Sequence, residues 1–527
     1  MSAAPLCSAE IYSNSVGGGT WSDPATWRGG AVPTAEDDVV IARDDTVVFD
    51  RDDSEGVTCQ LLSLDPRSAL TFKSGMGRVV LSAANVVESY GLIKLDASKS
   101  AKDQHELRLL AEEAEQRVLR FAKGGGLIVS GRGGLPKGRF NAVIMSPTPA
   151  FEQPPEGTLA TLPSDPTALL EAMPGASLDL QRAELLNVNI EATGIDNTGA
   201  RLGERLNVVR CGFRGTGRLK LTSCDSAVVR DNRFERQELP KLQPAALYIS
   251  SCPLIEVRGN VIRGTYAGGL TCYGQNDCVM QDNVIEKCDS GVYWYGTGFM
   301  FKGMAIRDCP HGMTMTSARG AMEDVLIERC QTAYHHAGAD MQCTNLVVRE
   351  LIPTPNGYFI HYVSGPLRLL NCDIQPEQIV FSPSFTPEPV KEGKPRPPTV
   401  QSLSYLVAQV SGQVPPGVSV EVVTAQPAAA LPPGAQDLNI RNSPAPLLKN
   451  GLTPLPKTLE PIIVRGWSFD PEAKPAAAPG YILNVLGPAG SAGGARQVLK
   501  SMPVTPQADW FRAEPNGNQP TIEVTLP

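Results

Sequence analysis

The chain has 527 residues, a formal net charge of −8 and a pI ≈ 5.4, with 50 Gly and 45 Pro. That length exceeds one ordinary core and predicts more than one domain, and the turn-rich composition suits a mostly β protein. The acidic balance speaks against nucleic acid or an anionic membrane as partner. No apolar run approaches the ~18 residues a spanning helix needs.

The N-terminus, MSAAPLCSAE, carries neither the basic nor the apolar region of a signal peptide. Cys7 follows Ala-Pro-Leu, a poor lipobox. Residues 10–60 contain VGGGTWSDPATWRGGAVPTAEDDVVI, with Gly17 to Gly19, Trp21, Ser22, Asp23, Trp27, Gly29, Gly30, Pro33, Asp37 and Asp38 ahead of an apolar Val39–Ile41. This stretch resembles the G8 domain, a glycine-rich β module of secreted and cell-surface proteins. The resemblance covers about 25 residues well. It implies an extracellular setting and parallel β-helix repeats downstream. From the residues alone, the Trp pair is expected to cap the open end of a solenoid, and Asp37–Asp38 to begin a turn.

From 40 to 100, VVI, TVVF, QLLSL, ALTF, RVVLS and GLIKL alternate with Gly, Asp and Ser turns, which predicts short strands. The acidic run ARDDTVVFDRDDSEG lacks calcium-loop spacing and reads as a solvated turn. Residues 102–123 depart from this pattern. Leu107, Leu110, Ala114, Val118 and Phe121 recur at helical spacing and predict an inserted amphipathic helix, with His105 solvated upon it. A Pro-rich excursion, SPTPAFEQPPEGTLATLPSDP, closes a predicted N-terminal β module over 1–175.

Residues 176–382 are expected to be parallel β-helix repeats. Cys288, Cys309 and Cys330 fall 21 residues apart (309 − 288 and 330 − 309), as do Ile285, Ile306 and Ile327. A period near 20 marks a solenoid whose coils bury apolar faces only by stacking. Glu191, Arg214, Glu235, Arg263, Glu286, Arg307, Glu328 and Arg349 alternate in sign after the inward position. Strands stacked about 4.8 Å apart would pair them, each pair worth about 0.2–1 kcal/mol. Ten of the 12 cysteines lie here, with Cys224 and Cys252 in a second slot. They read as buried small hydrophobes, and without a CxxC pair no metal site or cofactor is expected. Residues 383–399 read as a Pro-rich linker and 400–527 as a small β-sandwich-like domain. The fold class is therefore all-β, a right-handed parallel β-helix with a G8-like module, one inserted helix and a C-terminal β domain.

The second strand of each coil is expected at LKLTS, LYISS, LTCYG, VYWYG, MTMTS, YHHAG and YFIHY. Alternation sends their first and third residues inward. One outward column is then Lys220, Tyr248, Thr271, Tyr293, Thr314, His335, Phe359, and the other Thr222, Ser250, Tyr273, Tyr295, Thr316, Ala337, His361. Rings and hydroxyls on such a face suit sugars, with Lys220, Tyr248 and Tyr273 as binding residues. Stacked aromatics also stabilise a solenoid without any ligand. His336 reads as a core histidine and His311 as a turn residue.

Three functions fit. The first is a secreted or surface protein recognising polysaccharide, with a cytosolic location as the other reading. The second is a lyase on an acidic glycan, using Tyr293, Tyr295, His335 and His361 as acid and base. The columns contain no Asp or Glu, which counts against a two-carboxylate hydrolase. The third is a structural or adhesive solenoid, self-assembling as a homo-oligomer.

Overall fold

The computed structural model describes residues 9–85, 88–110, 116–132, 140–146, 167–198, 205–215, 217–235, 245–264, 266–353, 357–385, 400–425, 445–446, 462–469, 475–476, 480–488, 496–507, 510 and 521–527. Cys7, most of the Pro-rich excursion and the linker beyond 385 lie outside the described residues. The chain forms two compact units, Met1–Phe299 with Arg307–Cys309, and Met300–Ile306 with Pro310–Pro527.

In the first unit the chain visits three parallel sheets in turn, which is a parallel β-helix. One sheet runs from Glu10–Tyr12 and Asp38–Ile41, through Gln104–Leu109 and Glu184–Leu186, to Val261–Arg263 and Val284–Glu286. A second runs from Gly18–Thr20 and Thr46–Phe49 through Gly126–Ser130 and Ser177–Gln181 to Glu256–Arg258. The third stacks Gln116–Phe121, Ala168–Ala172, Val188–Thr193, Leu219–Thr222, Leu247–Ser250 and part of Gly268–Gln281. Pairing continues on both sides of residue 175, so the strands from residue 10 onward are already coils of the solenoid.

Local chemistry explains the first coil. A Cβ on Gly18 would stand 2.3 Å from the Thr46 carbonyl oxygen at φ +83°, so only glycine passes there. The Asp45 carboxylate accepts the Ser15 and Gly17 amides at 2.8 and 2.9 Å. Asp37 accepts from the Thr34 amide and hydroxyl, both at 2.7 Å, which is the expected turn. Trp21 and Trp27 are buried edge to face at 4.9 Å. An inner aromatic column continues from Trp21 to Phe49, Phe72 and His105 at 5.0, 5.7 and 5.6 Å.

That column corrects the expectation for 102–123. The described residues there form two strands, Gln104–Leu109 and Gln116–Phe121, in different sheets, and no helix. His105, Leu107 and Leu109 are buried in alternation with half-exposed Glu106 and Arg108. A register shift between Arg117 and Leu119 then breaks the period of two. The change of sheet between the two strands and the shift together mimic helical spacing. His105 is inside, not solvated, and burial lowers its pKa.

Corners later in the unit place Asp231, Asp282, Lys287 and Asp308 at φ 54–58°. Each precedes an inward residue: Asn232, Asn283, Cys288 and Cys309. The asparagines form a buried ladder. Asn232 Nδ2 donates to Asn260 Oδ1 at 3.0 Å, and Asn260 Nδ2 to Asn283 Oδ1 at 2.9 Å. All eleven described cysteines are buried, and burial pushes the Cys59 and Cys211 thiols up to about 12.

The charge alternation holds in register for Arg214, Glu235, Arg263 and Glu286, and Glu286 takes Arg307 at 3.3 Å. Glu191 does not belong to it. That residue lies in the third sheet opposite Lys220, and Arg214 meets Glu184 instead at 2.9 Å. Glu191 and Arg214 stand 23 residues apart, close to one coil, so spacing alone does not separate the two sheets.

In the second unit His311–Glu323, Thr332–Ala337, Tyr358–Ser364 and Ile379–Phe381 stack in parallel, beside a ladder of Asp340–Thr344, Leu367–Leu370 and Val400–Gly412. Leu326–Glu328 pairs Val347–Arg349, with Glu328 opposite Arg349. Val400–Gly412 then leaves the stack to pair Ile462–Phe469 antiparallel and Thr521–Leu526 in parallel. A further sheet contains Ser419–Thr424, Ala445–Pro446, Tyr481–Leu486 and Val498–Val504. Leu406, Ala408, Val420, Leu483, Val485 and Val524 belong to one core between these strands.

Candidate functional site

Alternation in the third sheet of the first unit buries Leu219, Leu221, Leu247, Ile249, Val292 and Trp294 and turns their neighbours outward. Lys220, Tyr248 and Thr271 are register partners, as are Thr222, Ser250 and Tyr273. As far as Thr271 and Tyr273 the columns are as expected. Tyr273 is the centre of a ring cluster, 5.6 Å from Tyr248, 5.7 Å from Tyr293 and 6.3 Å from Tyr295. Diagonal neighbours on a sheet are within reach of aromatic side chains. Tyr295 is 46% exposed, the others less so. Burial raises the Tyr273 pKa, with smaller additions from Tyr293 and Tyr248, so the Tyr273 hydroxyl is a neutral donor at physiological pH.

Lys220, the expected cation, is not available as a lone charge. Its Nζ lies 3.1 Å from Glu191, which also holds Arg218 at 3.4 Å. This carboxylate escaped the sequence reading because Glu191 was assigned to another column.

In the second unit His335 and His361 meet directly. They are register partners, with Nδ1 atoms 2.8 Å apart and ring centroids 4.8 Å apart. The expected columns put Phe359 beside His335 and His361 beside Ala337. The structure shifts that coil by two residues, because register partners there stand 26 residues apart (361 − 335) where the expected column has 24 (359 − 335). A register irregularity after His336 sets Ala337 against Ser364. Tyr358 stacks on His361 at 5.3 Å and 24°. No local pattern signals that contact, since positions 358 and 361 do not share a face in a regular strand. Burial lowers the pKa of both histidines, and His361 and His311 lower His335 further. One ring therefore donates its Nδ1–H to the other, and the pair is uncharged near neutral pH.

His336 points inward, as expected for a core histidine. It is fully buried, contacts the Tyr334 hydroxyl at 2.8 Å through Nδ1, and stacks on Tyr362 at 5.3 Å. Burial takes its pKa down to about 3. His311 is exposed. Among the described residues no group of three or more His, Cys, Asp or Glu could hold a metal ion, and no helix is long and apolar enough to cross a membrane.

No family model matches the chain, so the G8 resemblance of its N-terminal residues stands on those residues alone. No curated protein matches it either. Among solved structures the chain is similar to the crystal structure of endo-xylogalacturonan hydrolase from Aspergillus tubingensis, at 10% identity over 71% of this chain and 99% of that one, with a TM-score of 0.20. A TM-score that low places no residue of one chain on the other.

Proposed function

We propose that this protein binds polysaccharide, without cleaving it, through the outward tyrosine face of its third sheet. The observation that carries the reading is the ring cluster on Tyr273, with Tyr248, Tyr293 and Tyr295 within 6.3 Å of it. Tyrosine rings present apolar faces to sugar C–H groups and hydroxyls to sugar oxygens. Thr222, Ser250 and Thr271 add small hydroxyls beside them. Lys220 and Arg218 share Glu191, so the local charge favours neutral or weakly acidic chains over densely charged ones. A secreted or cell-surface location belongs to this reading.

The test is affinity electrophoresis of the full chain against neutral and acidic polysaccharides, with Tyr273→Ala/Tyr295→Ala alongside. Retardation by at least one polymer, weakened about tenfold or more in the variant with an unchanged thermal midpoint, supports the proposal. Equal retardation of parent and variant would move binding elsewhere. Failure of every polymer to bind leaves the self-assembling solenoid as the better account, and sedimentation at rising concentration examines that directly.

The His335–His361 contact favours a second reading, a lyase in which one neutral imidazole removes the proton α to a uronate carboxylate. Tyr358 stands beside it as a proton donor to the leaving oxygen. Lys220, the expected partner for the carboxylate, is engaged by Glu191. Unsaturated product that appears with the parent and not with His335→Gln would raise it above simple binding.

A further inference from the structure

We propose that His335 and His361 form a two-nitrogen site for a divalent transition-metal ion of the copper, nickel or zinc type. This inference is independent of the polysaccharide reading. Two neighbouring coils hold the imidazoles as register partners in a parallel ladder, so their backbone spacing is fixed by hydrogen bonds. Stacking on Tyr358 restrains the His361 ring. Between the facing Nδ1 atoms, 2.8 Å apart, there is room for one proton.

Two nitrogens bound to one ion at about 2.0–2.1 Å, with an angle between about 90° and 109°, stand about 2.8–3.4 Å apart. The observed separation is at the lower end of that range. An ion binds there once the donor ring carries its proton on Nε2 instead of Nδ1 and both rings turn so that their Nδ1 lone pairs converge on it. With no third described ligand in the group, the remaining coordination positions are open to water or to an added oxygen ligand. Neutral imidazoles prefer copper, nickel and zinc, whereas calcium and magnesium prefer oxygen.

Isothermal titration of the full chain with CuCl2 and with ZnCl2, with CaCl2 as control, tests this. The expected result is one copper or zinc ion per chain and no calcium binding. Removing a partner of a metal-bound histidine costs at least about tenfold in affinity, so His335→Gln and His361→Gln should each lose that much or more. Electron paramagnetic resonance of the copper complex provides a readout that needs no variant, and two coupled imidazole nitrogens are expected. A parent without saturable copper or zinc binding overturns the proposal. So does a copper spectrum without paired nitrogens, or affinity unchanged in both folded variants.

Discussion

His336 shows what burial does to one titratable ring. The folded chain holds its pKa at about 3, while an unfolded chain would show the ordinary value near 6.5. Between those limits the unfolded state binds a proton that the folded state refuses, so stability falls as pH drops below about 6.5. The full gap corresponds to a ceiling on the order of 5 kcal/mol by pH 3. His336→Phe keeps a ring against Tyr362 but leaves the buried Tyr334 hydroxyl without its contact, a cost of about 1–3 kcal/mol at pH 8. We expect the variant to melt below the parent at pH 8 and the gap to close as pH approaches 4.5, the approximate middle of that window. His105, His335 and His361 also have lowered pKa values, so the variant retains some acid sensitivity. Thermal melts at both pH values decide this, and parallel curves would mean that His336 does not set the acid limb.

At the scale of elements, the asparagine ladder and the charge ladder make unequal contributions. Asn260 Oδ1 accepts the amide and Nδ2 of Asn232, both at 3.0 Å, and its own Nδ2 reaches the Val229 carbonyl at 2.9 Å. Asn260→Ala strands these buried groups and should cost about 2–4 kcal/mol. Glu286 sits between Arg263 and Arg307 at 3.7 and 3.3 Å near the surface. Glu286→Ala should cost about 1 kcal/mol or less, and added salt should shrink that loss further. Urea unfolding of the two variants compares them, and a larger loss for Glu286→Ala would reverse the ranking. Only one of these ladders was legible in the sequence. Glu and Arg recur with alternating sign every coil, whereas the slot three residues before them holds Asn232, Asn260 and Asn283 and then Met304 and Val325, so no single chemistry marks it. The 21-residue period was readable because Cys288 and Cys309 repeat an inward slot whose chemistry tolerates little else. Strands over 104–109 and 116–121 were not, since a change of sheet between them and a register shift disguised their alternation. The histidine pair failed for a related reason: a longer coil moved His361 by two positions, which no local pattern records.

Over the molecule as a whole, the place where the second unit's coils end is the feature with the largest consequence. Residues 383–399 read as a linker, yet Val400–Leu403 pairs in parallel with Leu367–Leu370 and is the next rung of the same ladder. That strand continues to Gly412, where Val410 faces Val524 across a parallel pair. One strand thus covers the edge of the coil stack and enters the C-terminal core. Ending the chain after Phe385 would leave the Leu367–Leu370 amides and carbonyls as an open edge, the kind that recruits other strands. We expect a 1–385 fragment to exchange the amides of 367–370 and their neighbour strand 358–364 much faster than the full chain does. Its sedimentation should also depend on concentration. Exchange that matches the full chain, with a single sedimenting species, would mean that residues 400–527 are a tethered module after all, and that the coils close themselves without Val400.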